Sequence, residues 1–143
     1  MAEILVSPDA AALMIAWLTS ELPTIPDQAA VGVYRDVPNP RPSAFVVVHQ
    51  DGGPGRDGSN VPLDRPMLTI EAYASTAAKA SDLAQNARAV AHAARGVVHS
   101  GVQVYRVEDA GAPVDLPDPL ATTHTRFRFL VQLTVRIRRP AGA

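Results

Sequence analysis

The sequence predicts an α+β fold: a mainly antiparallel sheet of four to five strands with two helices packed on one face. Three observations support this class: two helical segments separated by a run of strands, loops rich in proline and glycine between strands, and one long strand in which polarity alternates at all but one position. Strands that follow one another through short or polar connections usually pair antiparallel. The predicted order is α-β-β-β-α-β-β, within a single domain spanning residues 1–143.

Composition limits the class of protein and the functions that the chain can have. The chain has 143 residues, of which 47% are hydrophobic and 19% charged, as is typical of one soluble domain with its own core. A net charge of −1 argues against nucleic-acid binding by the domain as a whole. The absence of cysteine excludes disulfides, thiolate nucleophiles and cysteine-based zinc sites. The apolar stretch 10–18 lacks basic flanking residues and is too short to cross a bilayer, so we expect a cytosolic, unprocessed chain with no membrane partner.

The first helix is predicted to start at Ser7 and to run to about Glu21. Ser7 offers a hydroxyl N-cap, Pro8 suits the first helical position, and Asp9 favours the positive end of the helix dipole. Pro23 cannot continue a helix, so it marks the end of this one.

Three strands are predicted next, at 30–37, 43–50 and 67–74. The connector 38–42 holds three prolines, which can neither donate to a ladder nor continue a helix. Residues 51–66 are rich in glycine and proline and are predicted to form a flexible loop, since loops of this length are usually functional or mobile.

The second helix is predicted from Ser75 or Thr76, either of which provides an N-cap, to Arg95. Gly96 is the expected C-cap. A narrow face of alanine, valine and leucine along this helix lets it lie close to a sheet.

The last part of the chain is predicted as a strand at 102–107, a proline- and aspartate-rich loop at 110–123, and a long terminal strand. In the terminal strand, apolar residues from Phe127 to Ile137 fall on one parity and four arginines fall on the other. Because side chains alternate across a strand, this pattern predicts one buried and one cationic face. Leu130 is the exception.

Motifs of known chemistry are weak in this chain. Gly53-Pro-Gly-Arg-Asp-Gly58 matches the dinucleotide-binding spacing, but Pro62 and Pro66 exclude the helix that must follow it. The four histidines lack the spacing of a metal site, and no serine has a nucleophile-elbow context. We therefore expect no enzyme activity, metal or cofactor.

The arginine face has three interpretations. It is hydrated, it contacts a neighbouring subunit or partner protein, or it faces DNA. Aromatic side chains are missing from the same parity, so recognition by base stacking is not expected.

The chain resembles the tail terminator proteins of long-tailed bacteriophages, above all those of phages that infect actinobacteria. The similarity covers nearly the whole chain and lies in the order and spacing of several segments. These are the helix with Trp17-Leu18, the connector Pro-Asn-Pro-Arg-Pro (38–42), Phe-Val-Val-Val (45–48), Arg-Pro-Met-Leu-Thr-Ile-Glu-Ala-Tyr (65–73), Pro-Val-Asp-Leu-Pro-Asp-Pro (113–119), and Val-Gln-Leu-Thr-Val-Arg (131–136).

The resemblance implies a structural virion protein of the tail or neck, assembled in the host cytoplasm. Such proteins form a homo-hexameric ring on the last ring of the tube, stop tube polymerisation and offer a surface to the head-tail connector. Their expected partners are copies of the same chain, the tail tube protein and the connector protein, and DNA passes through the lumen without specific binding.

Two alternatives remain: a head-tail connector or stopper of the same neck, and a small cytosolic nucleotide-binding protein or adaptor. A closed ring needs two different contact patches on each subunit. We expect the glycine-rich loop and the terminal strand to provide them. The candidate interface residues are Arg56, Asp57, Arg65, Asp115, Asp118, Arg126, Arg128, Arg136 and Arg138.

Overall fold

The computed structural model describes residues 4–56, 62–99, 101–117 and 123–137. Two α-helices and eight strands make up this part of the chain. In chain order they are α1 (Ala10–Glu21), β1 (Gly32–Tyr34), β2 (Phe45–Gln50), β3 (Gly55–Arg56), β4 (Leu63–Arg65), β5 (Met67–Ala74), α2 (Ala77–His92), β6 (Val98–His99), β7 (Val102–Leu116) and β8 (Thr125–Arg136).

One sheet contains most of the strands. β5 lies between β2 and β8 and is antiparallel to both, while β7 is antiparallel to β8 on the opposite side. β1 runs parallel to β2, so the sheet is mixed. The short strands β3 and β4 extend it beside the end of β8. The α+β class is confirmed, but the sheet has more strands than the four to five predicted.

The core lies between the two helices and one face of this sheet. Alternate residues of β2, β5 and β8 point toward the helices, among them Val46, Ile70 and Phe129, which are fully buried. Both helices contribute to the same cluster, through Met14 and Leu18 on α1 and a set of small residues on α2. The indole Nε1 of Trp17 donates a hydrogen bond to the carbonyl oxygen of Val90 at 2.7 Å, which joins the two helices.

Both helices were predicted at the right place, but one cap of each differs from the prediction. Asp9, not Ser7, is the N-cap of α1, and its carboxylate accepts from the backbone N–H of Ala12. Thr76 caps α2 in the same way. The predicted end of α2 is wrong by three residues, because Ala93, not Gly96, is its C-cap. Gly96 has a φ of +78° in the turn that follows.

Two predicted loops are partly wrong. Residues 51–66 include β3 and β4, which pair with each other, and β4 also pairs with β8. Residues 110–116 belong to β7, because the ladder with β8 continues as far as Leu116. The ladder accommodates Gly111 and Pro113 through shifts of register, as a β-bulge or similar irregularity does. The rest of the second predicted loop includes 118–122, which lie outside the described residues.

Candidate assembly surface

The outer face of the sheet is the side that points away from the helices, and it is formed by alternate residues of β2, β5 and β8. Register brings Val47, Glu71 and Arg128 into one row across the three strands, and Phe45, Tyr73 and Arg126 into the next. The predicted arginine face of β8 therefore belongs to a continuous surface that also includes residues of two other strands.

An aromatic group covers one end of the outer face. The rings of Phe45 and Tyr73 stack at 4.5 Å with an interplanar angle of 10°, and both side chains are buried. The guanidinium of Arg41 lies 5.7 Å from the centre of the Tyr73 ring. His124 packs edge-on to Phe45, and its Nε2 lies 2.7 Å from the carbonyl oxygen of Pro42. The connector 38–42 thus lies against this end of the sheet.

Glu71 is a buried carboxylate on the outer face, with a side chain only 12% exposed. One oxygen lies 3.1 Å from Nη1 of Arg126, and the other lies 3.2 Å from Nε2 of His49. A charged group in this position requires such partners, because an isolated buried carboxylate is strongly unfavourable. The sequence places Glu71 on this face, but alternation alone does not tell that the position is covered.

Arg126 is consequently only partly exposed and is held by partners within its own chain, so its interface role stays a prediction. Its side chain is 22% exposed and is held by Glu71 and by the carbonyl oxygen of Pro117, which accepts from Nη2 at 3.0 Å. The face of β8 on which Arg126 lies was predicted correctly. Within the chain, the Arg126 guanidinium neutralises the Glu71 carboxylate.

Arg128 and Arg136 differ from Arg126 in exposure, and their interface role stays a prediction. Both are exposed, and neither forms an ion pair with another residue in the described ranges. Arg128 is opposite Glu71 on β5 and Val114 on β7, while Arg136 is opposite Leu63 on β4. Arg138 lies outside the described residues.

Arg56 and Arg65 lie beside Arg136, at the end of the sheet formed by β3, β4 and β8. The Arg56 guanidinium donates to the carbonyl oxygen of Leu5 at 2.8 Å, and Nε of Arg65 donates to the carbonyl oxygen of Gly55 at 3.2 Å. Three predicted interface arginines therefore lie at one end of the sheet but not on one face. Arg65 and Arg136 belong to the outer face, whereas Arg56, opposite Asp64, belongs to the face of Val135. Asp57 is outside the described residues.

Local packing accounts for at least one glycine of the dinucleotide-like motif. Gly53 has a φ of +115°, and a Cβ on it would overlap the carbonyl oxygen of Arg65 and approach the Met67 nitrogen to 2.9 Å. Only glycine fits where the chain passes so close to β4 and β5.

The margin of the sheet opposite β1 is formed by β7. We call its second half, Asp109–Leu116, the edge segment. Most of its side chains are exposed, Val114 by 50%. One flank of this segment pairs with β8, and no strand in the described part of the chain pairs with the other flank. Asp115 is exposed in this segment, and Asp118 lies outside the described residues.

The edge segment is attached to α2 at its start. The Asp109 carboxylate receives two hydrogen bonds from Arg88, at 2.7 and 3.1 Å, and lies 2.8 Å from Nε2 of His92. These contacts lower the pKa of Asp109 to about 2, chiefly through the bonds from Arg88. The prediction did not include this cluster, since Arg88 and Asp109 are distant in sequence and Asp109 was placed beside a loop.

A cavity of about 460 Å³ lies near the start of α2. Asp27, Lys79 and Asp82 line it together with Val31 and Leu83. It lies beside Ala74, whereas the glycine-rich motif lies beside Met67 at the other end of β5. The cavity and the dinucleotide-like motif are therefore separate features.

Within the described ranges, no group of three or more histidine and carboxylate side chains is arranged to hold a metal ion. No helix in the same ranges is long and apolar enough to cross a membrane. No protein-family model matches the chain, and a comparison with curated proteins finds no significant match.

Proposed function

We propose that this protein is a structural subunit of a bacteriophage tail, which closes the end of the tail tube as a ring and stops its polymerisation. The ring then provides the surface to which the head is attached. The proposal begins from the order and spacing of the segments that resemble tail terminators, and it is supported by the type of surface that the fold presents.

The observation that carries the proposal is the edge segment. An unpaired strand edge offers a row of backbone donors and acceptors to another chain, and proteins that remain monomeric usually shorten, cover or charge such edges. Here most side chains of Asp109–Leu116 are exposed, and the segment includes the half-exposed Val114. Pro113, Asp115 and the register shifts restrict pairing at this edge, so we expect it to accept only a neighbour that matches its irregular shape.

The arginines at the other surfaces supply contacts of a different type. Arg65 and Arg136 lie on the outer face at the β3–β4 end of the sheet, where Arg128 is also exposed on the outer face, and Arg56 lies at the same end on the opposite face. Guanidinium groups suit paired contacts with carboxylates across protein interfaces. A subunit with one pairing edge and a separate cationic end has the unlike patches that a closed ring requires.

The test is depletion of the gene in its native phage, followed by measurement of tail length by negative-stain microscopy. We expect overlong, uncapped tubes without heads, because nothing then stops polymerisation. Tails of normal length that fail to join filled heads would assign the protein to the connector side of the neck instead. Normal virions would contradict a structural role in the neck altogether.

A further inference from the structure

The cavity near the start of α2, which we call the α2 cavity, is lined by both apolar and polar side chains. Its volume of about 460 Å³ falls within the range of about 300–1,000 Å³ that is typical of sites for small ligands. Its apolar lining is buried or half-buried and consists of Val31, Ala44, Ala74 and Leu83. The polar residues that matter for binding are Asp27, Gln28, Lys79 and Asp82.

Gln28 is the one buried polar residue among those that line the α2 cavity, and only 6% of it is exposed. Its Nε2 donates a long hydrogen bond of 3.4 Å to Oδ2 of Asp82. No residue in the described part of the chain donates to its Oε1, and this oxygen is not sealed from the surface, so it opens onto the cavity. A largely buried amide oxygen without a donor is unfavourable, and a ligand that donates a hydrogen bond would satisfy it.

Two carboxylates line the same cavity with unused acceptor oxygens. Asp82 accepts from Gln28 and from Asn86, both at Oδ2 and both at 3.4 Å, so within the described ranges its Oδ1 has no donor. Asp27 has no hydrogen bond or ion pair in those ranges. Its φ of +72° belongs to a turn that is closed by a hydrogen bond of 3.1 Å from the Gln28 nitrogen to the Ile25 carbonyl oxygen. This turn brings Asp27 and Gln28 to one cavity.

The unused acceptors and the charge of the cavity indicate a cationic ligand. Two acidic residues and one basic residue, Lys79, line it, so the lining is net negative. A metal ion does not suit it, because no three histidine and carboxylate side chains in the described ranges are grouped to hold one. A guanidinium group does, since it is permanently charged and has several N–H donors in one plane and no acceptor. The apolar lining suits an aliphatic chain attached to that group.

We propose that the α2 cavity binds a guanidinium group carried on a short aliphatic chain, which is the chemistry of an arginine side chain. The guanidinium donates to Oε1 of Gln28 and to the carboxylates of Asp27 and Asp82, and the aliphatic chain packs against Val31 and Leu83. The group belongs either to another protein or to a free small molecule. The inference does not depend on the proposed function, because the edge segment does not line this cavity.

The test is a titration of the isotope-labelled protein with n-butylguanidinium at low ionic strength, followed through the side-chain amide signal of Gln28 in nitrogen–proton correlation spectra. n-Butylurea has nearly the same shape without the charge and serves as the control ligand. We expect a saturable shift of the Gln28 signal with n-butylguanidinium and binding of n-butylurea that is weaker by about tenfold or more. The absence of a saturable shift, or equal binding of the two compounds, would overturn the inference.

Substitutions in the cavity should change the affinity for n-butylguanidinium in opposite directions. Asp82→Asn should weaken binding about tenfold, and Asp27→Asn about threefold, because Asp27 is exposed. Asparagine tolerates a positive φ, so Asp27→Asn should keep its turn and its Tm. Lys79→Met should strengthen binding, because it removes a like charge. Asp115→Asn is the matched control, since it removes an exposed carboxylate from the edge segment. Affinities equal to that of Asp115→Asn in all three cavity variants would contradict the proposed site.

A capped arginine residue, N-acetyl-arginine N-methylamide, distinguishes the two sources of the guanidinium group. If it binds at least as tightly as n-butylguanidinium, its peptide groups fit outside the cavity and the ligand is a side chain of another protein. If it binds at least about tenfold more weakly, the peptide groups clash at the opening and the ligand is a free small molecule. Either result upholds guanidinium binding in the α2 cavity.

Discussion

The clearest consequence of the structure is that Arg126 and Arg128, two residues apart on the same face of β8, have different roles. Arg126 neutralises the Glu71 carboxylate, whereas Arg128 is exposed without an ion pair in the described part of the chain. We therefore predict that Arg126→Ala destabilises the fold and that the matched Arg128→Ala does not.

The magnitude follows from burial. Removal of one partner from a buried ion pair costs about 3–5 kcal/mol, because the other charge stays buried without compensation. The Arg126 side chain is still 22% exposed, and His49 remains 3.2 Å from Glu71. We therefore expect a loss of about 2–3 kcal/mol in the free energy of unfolding for Arg126→Ala, below the fully buried range. For Arg128→Ala we expect a change within about 0.5 kcal/mol.

The assay is urea unfolding of both variants beside the unchanged protein, with thermal unfolding as a second measurement. At about 4 °C per kcal/mol for a domain of this size, the Tm of Arg126→Ala should fall by about 8–12 °C. The double substitution Arg126→Met with Glu71→Leu should recover most of the loss, since an apolar pair removes both charges. Equal losses for the two alanine variants, or no recovery in the double variant, would refute this account of the outer face.

Two further predictions concern Asp109 and Gly53. The pKa of Asp109 is lowered to about 2, so its contacts with Arg88 and His92 stabilise the fold above the ordinary carboxyl pKa and are lost as the pH falls toward 2. The stability difference between the unchanged protein and Asp109→Asn should therefore shrink when unfolding is followed from pH 5 to pH 2, and a constant difference would contradict the assignment. Gly53→Ala should cost about 2–3 kcal/mol, because backbone strain and overlap with the Arg65 carbonyl act together. Gly52 has a φ of +72°, and a Cβ added to it would meet no atom within 4 Å. Gly52→Ala should therefore cost only about 1 kcal/mol in the same urea unfolding measurement. Equal losses in the free energy of unfolding for the two variants would show that the close approach of Gly53 to Arg65 does not contribute to stability.

The local sequence pattern was sufficient to predict a strand and its buried face where one face of the strand is buried and the other is exposed. The buried side of β8 from Phe129 to Val135 follows the predicted parity, and β5 has the predicted bounds. The exception in the alternation, Leu130, also has a structural explanation. It lies opposite Gly111 on β7, where a Cβ would come within 3.1 Å of the leucine side chain, so the glycine makes room for it.

The local sequence pattern failed to predict the length of a strand or the exposure of a side chain where contacts with distant segments determine them. Pro113 and Gly111 suggest a loop, but the ladder with β8 absorbs them through shifts of register and β7 continues to Leu116. Alternation assigned Arg126 to the outer face, yet the partners that bury it, Glu71 and the Pro117 carbonyl, come from other strands and segments. Exposure of a face depends on what covers it, and periodicity does not contain that information.

The central claim is tested most directly by adding the purified protein to tail tube protein as it polymerises and measuring the tube lengths by electron microscopy. The account predicts that sub-stoichiometric amounts shorten the tubes in proportion to their concentration and that the protein is found at tube ends. Lengths that do not change at any ratio, with the protein bound along the tubes or not at all, would contradict the claim that it ends polymerisation.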